Sequence, residues 1–189
     1  MSQKDDLELA IMLHGHIAPG LALGVRMSRV AMERLGIIKG TRKYVGIAET
    51  SRCLADAMQA TTGCTMGHAN AIIQDYGKLA LTLARVDTKE GVRVALKKNA
   101  HEHSALMKKW MLREGKLSRD EEKELGMELL KLNEEYLDII DVTINFESTF
   151  DNSKIVKCEK CDELIPIGIT VMKDKILCKA CAGKAYYST

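Results

Sequence analysis

Two histidines flank one glycine in the stretch HGHIAPG, where His14 and His16 precede Pro19. Histidine binds metals and transfers protons near neutral pH, so this pair is a candidate for either chemistry. A separation of two residues does not bring both rings to one point on a helix, whereas a turn can do so. The alternative is that both histidines are ordinary core or cap residues.

Cys53 is the second candidate, because it stands near the start of a helix predicted within ETSRCLADAMQATTGC. Ser51 is expected to cap that helix, and the positive end of the helix is then expected to lower the pKa of the thiol. Asp56 follows one turn later on the same face. The alternative is that Cys53 is a small buried residue of an Ala-rich helix.

The histidines and the cysteine are together predicted to line a catalytic cleft. Without a metal, Cys53 would act there as a thiolate, and His14 or His16 would act as the general base. With a metal, the same side chains would be ligands. Spacing alone leaves both options open, beside the option that no site exists.

Four cysteines near the end of the chain form two C-x2-C pairs, Cys158 with Cys161 and Cys178 with Cys181. This spacing is typical of zinc sites, because each pair turns two thiolates towards one point and four thiolates complete a tetrahedron. Since every ligand position is a cysteine, the expected Zn²⁺ is structural and not catalytic. A segment this short rarely folds without a metal or a disulfide, and the metal is therefore expected to supply its folding energy. Free or disulfide-bonded cysteines are the alternative.

The residues between and after these pairs indicate a hairpin and a helix. The turn of the hairpin is expected at Lys173 and Asp174, and a helix is expected to start at the second pair. Together they would form a small treble-clef-like zinc finger. Its side-chain charge nearly balances that of a zinc tetrathiolate, so contact with a protein is at least as well supported as contact with nucleic acid.

The N-terminal part alternates helical and strand-like patterns, which predicts an α+β fold with helices on a sheet of four or five strands. A first helix is expected to end near the histidines, and Pro19 suits the first position of the next helix, which Gly36 ends. The runs KYVGIAE, GKLALTLARVD, GVRVALKK and DVTINFES predict strands. Two further helices are expected before the last strand, and Ser118 with Glu121 form a capping-box pattern at the second of them.

Composition narrows the class of protein. The 189 residues are 46% hydrophobic and carry a formal charge of +2, so non-specific nucleic-acid binding is not favoured. No apolar run reaches transmembrane length, and MSQKDDLELA is not a targeting signal, so a cytoplasmic protein without disulfides is expected. The polar stretch ESTFDNSK is expected to link an α+β domain, residues 1–151, to a zinc-finger domain, residues 152–189.

The segments HGHIAPGLALGVRM, RCLADAMQATTGCTMGHAN and DYGKLALTLAR resemble the FmdE-like family, which is named for its association with formylmethanofuran dehydrogenase. The resemblance covers nearly the whole chain. It implies a thioredoxin-like core with a mixed sheet, a treble-clef finger and a cleft where the histidine turn meets the cysteine helix. It also implies a link to anaerobic one-carbon metabolism, with subunits of formylmethanofuran dehydrogenase as partners. That dehydrogenase is a molybdenum or tungsten enzyme that reversibly reduces carbon dioxide onto a carrier.

The family motif reads H-G-H-x-C-P-G, and its cysteine position is Ala18 in this chain. If the family cleft binds a metal through histidines and cysteines, this chain lacks one ligand or one supporting group. The resemblance thus makes a second metal in the cleft of His14, His16 and Cys53 doubtful.

Three functions fit the sequence. The first is an accessory or catalytic protein of one-carbon redox metabolism, and the family name leaves open whether it is an enzyme. The second is a non-enzymatic scaffold whose finger binds protein or nucleic acid. The third is a metal-delivery protein. Exposed aliphatic and Met-rich helices also suggest a homodimer.

Overall fold

The computed structural model describes residues 2–40, 42–145, 154–172 and 175–188. Its contacts divide the chain into two compact units, residues 1–145 and 146–189. The expected boundary after residue 151 and nearly all of the ESTFDNSK stretch lie outside the described residues. Within these ranges, no helix combines the length and the hydropathy that crossing a membrane would require.

Two helices carry the histidine turn. Helix α1 (Gln3–His14) begins with a capping box and ends at Gly15, whose φ of 95° is left-handed. Helix α2 (Pro19–Leu35) begins with proline at its first turn and ends at Gly36. Both predicted helices are therefore confirmed, and Gly15 makes the sharp turn between them because it has no Cβ.

Helix α3 (Cys53–Thr62) packs closely along α2. A Cβ added to Gly24 would lie 2.7 Å from the Cβ of Ala57 and 3.0 Å from the Cα of Leu54. Glycine is thus required for this approach of the two helix backbones. The packing sets the start of α3 beside the start of α2.

The five-stranded sheet is mixed, as the resemblance implies. Its order is β2 (Ala71–Ile73), β1 (Tyr44–Ala48), β3 (Ala80–Arg85), β4 (Glu90–Leu96) and β5 (Leu137–Thr143). Strands β1 and β2 are parallel, and the other neighbours are antiparallel. The sequence patterns did not predict β2, and β5 starts four residues before the predicted DVTINFES strand.

The core of this unit lies between the helices and one face of the sheet. The register places Leu81 opposite Val94 and Leu83 opposite Val92, and all four side chains are buried. Helix α4 (Ala105–Met111) and helix α5 (Arg119–Leu130) complete the fold. The predicted capping box at the start of α5 is present.

The second unit contains two short antiparallel ladders. Strand β6 (Ile155–Lys157) pairs with β7 (Leu164–Pro166), and β8 (Val171–Met172) pairs with β9 (Ile176–Leu177). The predicted hairpin is confirmed by β8 and β9, although its turn at Lys173 and Asp174 lies outside the described residues. The expected terminal helix is only a π-type segment, Ala180–Lys184, because Gly183 has a left-handed φ of 89°.

Candidate functional site

The four cysteines of the second unit converge. Their Sγ atoms all lie within 4.8 Å of one another, and those of Cys161 and Cys178 are 4.0 Å apart. In a tetrahedral zinc tetrathiolate with Zn–S bonds of about 2.3 Å, the sulfur atoms are about 3.8 Å apart. The cluster therefore has the dimensions that a tetrahedral metal ion requires.

Local backbone structure sets these positions. The amide of Cys158 donates to the carbonyl of Glu163, and the amide of Asp162 donates back to the carbonyl of Cys158. This tight turn follows β6 and has a left-handed residue at Asp162. The amide of Glu159 donates to the carbonyl of Ile176, which ties the first cysteine pair to the strand that precedes the second.

Backbone donors also favour the charged form of the first thiol. The amide of Cys178 lies 3.3 Å from the Sγ of Cys158 and donates to it. The amides of Cys178, Cys161 and Lys160 together lower the pKa of Cys158 to about 6. Contacts with the other three sulfur atoms and burial raise the pKa of Cys181 to about 12. Four thiolates so close together require a cation, which a metal would supply.

The histidine turn of the first unit makes one specific contact. The Nδ1 of His14 is 2.8 Å from the Oδ2 of Asp56 in the first turn of α3. The rings of His14 and His16 have centroids 4.9 Å apart and are tilted by 34°. The turn thus brings the two rings together, and α3 holds one of them by a carboxylate.

Cys53 is the first residue of α3, one turn before Asp56, which pairs with His14. A Cβ added to Gly20 would be 3.5 Å from the Cβ of Cys53 and 3.9 Å from the ring of Trp110. Cys53 therefore lies among the starts of α2 and α3 and close to the tryptophan of α4. Sequence reasoning did not identify Trp110, because nothing local connects it to residues 20 and 53.

The expected activation of Cys53 by the helix is wrong. Its half-buried position raises the pKa of the thiol, and the negative charge of Asp56 raises it further. The opposing hydrogen bond from its own backbone amide is weaker than the cost of burial. Cys53 is therefore a neutral thiol at neutral pH.

The expected capping role of Ser51 is also wrong. Arg52 occupies the N-cap position of α3 and makes no side-chain cap. The hydroxyl of Ser51 instead donates to the Oδ2 of Asp75 over 2.5 Å, which lowers the pKa of Asp75. The ammonium of Lys78 lies 5.6 Å from the centre of the Tyr76 ring.

The two candidate sites differ as metal sites. Among the described residues, the four-cysteine cluster is the only set of three or more His, Cys, Asp or Glu side chains close enough to hold one ion. His14, His16 and Cys53 do not form such a set. Ala18, where the family motif has cysteine, is buried at the N-cap of α2.

A buried carboxylate, Glu49, follows β1. Its two oxygens accept hydrogen bonds from the Nε and Nη2 of Arg93, at 2.5 and 2.9 Å. This pairing raises the pKa of Arg93. No local sequence pattern connects Glu49 with this partner on β4.

Comparison with known proteins identifies relatives of both units. Residues 13–149 match the model of the FmdE family, described as belonging to the molybdenum formylmethanofuran dehydrogenase operon. A solved structure from Syntrophus aciditrophicus, of an FmdE-like protein named for a tungsten formylmethanofuran dehydrogenase, is 30% identical with a TM-score of 0.77. The similarity covers 100% of this chain and 96% of that one.

A curated relative from Archaeoglobus fulgidus carries a different description. It is a "Probable S-adenosyl-L-methionine-binding protein", 37% identical over 193 residues. The match covers 92% of this chain and 51% of the relative. The chain thus spans about half the length of that protein.

Proposed function

Because the chain belongs to the FmdE family, we propose that it is an accessory protein of formylmethanofuran dehydrogenase-type one-carbon metabolism. Its reactive centre in this proposal comprises His14, His16, Asp56 and Cys53, and its second unit holds a structural Zn²⁺. The family description and the name of the structural relative support association with subunits of the dehydrogenase.

The contact between His14 and Asp56 is the observation that carries the proposal. When Nδ1–H donates to the carboxylate over 2.8 Å, the neutral ring presents the lone pair of Nε2. An imidazole oriented in this way is suited to accept a proton or to bind a metal. Asp56 is therefore the positioning residue, and His14 is the group that reacts.

Cys53 supplies the nucleophile in this proposal. Since its pKa is raised, the thiol must lose its proton to a neighbouring base before it attacks. The Nε2 of His14 is the base we assign, with His16 stacked beside it. Asp56 would stabilise the imidazolium that forms.

Zinc suits the four-cysteine cluster. Tetrahedral thiolate sites take zinc or iron, and a closed set of four protein ligands leaves no position open for substrate. Cys158, Cys161, Cys178 and Cys181 would hold the ion, which would supply folding energy and no chemistry. The backbone donors to Cys158 favour the thiolate form that binding requires.

Binding of S-adenosyl-L-methionine is the second candidate, suggested by the name of the Archaeoglobus relative. A cavity of about 580 Å³ between the helices favours it, because its lining includes Asp6, Thr61 and apolar side chains. The hydroxyl of Thr61 is buried and has no hydrogen-bond partner among the described residues. This candidate is second because Arg29 and Lys39 already pair with Asp6, and the relative is about twice as long.

The test combines the chain with purified formylmethanofuran dehydrogenase subunits and measures both co-elution and dehydrogenase activity. We expect the wild-type chain to bind and to change the activity. Asp56→Asn and His14→Gln should bind but abolish that change, whereas Asp87→Asn, in the exposed turn between β3 and β4, should act like wild type.

Two outcomes separate the alternatives. If the His14 and Asp56 variants act like wild type and Cys158→Ser alone abolishes binding, the chain is a scaffold that uses its finger. If no dehydrogenase subunit binds, and calorimetry detects binding of S-adenosyl-L-methionine to wild type but not to Thr61→Val, the second candidate replaces the first.

The exposed side chains of Leu9, Met12 and Leu13 on α1 support the homodimer that we also propose. Sedimentation of the same samples tests whether the chain forms a dimer.

A further inference from the structure

An open cavity of about 350 Å³ lies at the end of the sheet where β3 begins and β4 ends. Four of its lining side chains are cationic, namely Lys78, Arg93, Lys97 and Lys98. The remaining lining residues are apolar and include Leu79 and Met111. We refer to this site as the basic cavity.

The charge of the basic cavity is only partly balanced. Glu49 neutralises Arg93 through two hydrogen bonds, and the negative charge of Asp138 on β5 also attracts the guanidinium of Arg93. Four cations against two carboxylates leave a local charge of +2. The cavity therefore favours an anion.

The three lysines are the groups available to a ligand. In the described part of the chain, none of them forms an ion pair. Lys97 donates to the carbonyl of Glu135 over 2.9 Å, which holds its ammonium near the cavity. Lys78 contacts the Tyr76 ring, a contact that leaves its three N–H donors free to bind an anion.

The donor types distinguish between anions. A planar carboxylate is recognised best by the fork of an arginine, and the Nε and Nη2 of Arg93 are already used by Glu49. Lysine ammonium groups act as point charges and suit the several oxygens of a phosphate. The apolar side chains that also line the cavity suit the carbon skeleton of a small organic molecule. The volume of the cavity lies within the range of about 300–1,000 Å³ typical of ligand sites.

From these contacts we propose that the basic cavity binds the phosphate group of a small organic phosphate. The proposal uses no residue of the reactive centre at His14 and does not depend on the proposed function. It assigns Lys78, Lys97 and Lys98 as the binding residues and Arg93, held by Glu49, as part of the cavity wall.

The test is calorimetric titration of the full chain with pyrophosphate at constant ionic strength, with malonate as the dicarboxylate comparison. The double variant Lys78→Gln/Lys98→Gln removes two exposed ammonium groups and, with them, the contact of Lys78 with the Tyr76 ring. Its affinity for pyrophosphate should fall by about tenfold, as expected for the loss of charged hydrogen bonds.

A matched control removes the same charge elsewhere. Lys123→Gln/Lys131→Gln changes two exposed lysines at α5 and should leave the affinity as in wild type. Equal losses in both double variants would show general screening and overturn the proposal. Absence of pyrophosphate binding, or malonate binding as tight as pyrophosphate, would also overturn it.

Discussion

In residues 1–145 the side chains of Leu23, Leu81 and Leu129 are fully buried, whereas Cys158 is the only buried residue in the described part of residues 146–189. The first unit is stabilised by apolar burial, which grows with the size of a domain. The second has too little apolar interior for that, and its interior is a group of thiols. A metal in the second unit would therefore stabilise the fold, while the first unit can carry reactive side chains without one.

Removal of the metal should have the largest effect and should affect only the second unit. Structural zinc sites contribute apparent binding free energies of about 10–16 kcal/mol, so a chelator should unfold residues 154–188. The measurement is amide NMR dispersion before and after chelation, with return of the signals on adding Zn²⁺ as the control. Dispersed signals from the second unit after complete chelation would contradict this contrast between the units.

Truncation of a core side chain should affect the first unit in the same selective way. Leu83 is fully buried in β3, and Leu83→Ala should lower the free energy of unfolding by about 2–5 kcal/mol through lost burial and a cavity. Denaturant titration measures the loss, and the metal content per chain should not change. A metal content that falls with Leu83→Ala would show that the two units are not independent.

Restoration of the family cysteine tests whether the first unit can become a metal site. Ala18→Cys adds a soft ligand at the start of α2, near the histidine turn, and should increase the affinity of the first unit for zinc by about tenfold or more. Competition with a zinc indicator measures this affinity, and Ala18→Ser serves as the control of similar size. If the affinity is unchanged, His14, His16 and Cys53 do not form a metal site even with the added thiolate.

The acidity of Cys53 gives the smallest effect. Burial raises its pKa above the ordinary thiol value of 9.0, so alkylation should reach half its maximal rate above pH 9.0. Asp56→Asn removes a negative neighbour and should move that profile to lower pH, while Glu122→Gln should move it less. Site-resolved mass spectrometry measures the rates, and half-maximal alkylation below pH 9.0 in wild type would contradict the burial argument.

Local signals explain what the sequence predicted. Gly36 ends α2 because it adopts a left-handed φ value, and the spacing of the two C-x2-C pairs indicates that the four cysteines converge. Strand β2 has only three residues and pairs with β1 in parallel. Its formation therefore depends on tertiary contacts with β1, which a local sequence pattern does not reveal. The pairing of Arg93 with Glu49 and the approach of Trp110 to Gly20 join residues distant in sequence, and no local pattern predicts them.

Some contacts around the candidate site follow the sequence prediction. The turn at Gly15 brings His14 and His16 together as a turn between helices allows, and Asp56 lies on the predicted face of α3. The predicted direction of the pKa shift of Cys53 was wrong, because burial determines that direction. The burial is set by α2 and α4 rather than by the helix that contains Cys53. Helix position alone therefore did not determine the acidity of this thiol.

The two units are proposed to divide the roles of metal binding and reactivity, and metal analysis of the full chain is the decisive experiment. Mass spectrometry should find one zinc per chain in wild type, in His14→Ala and in Cys53→Ala, and none in Cys158→Ser. A metal that is retained by Cys158→Ser and lost from His14→Ala would place it in the first unit and contradict this division.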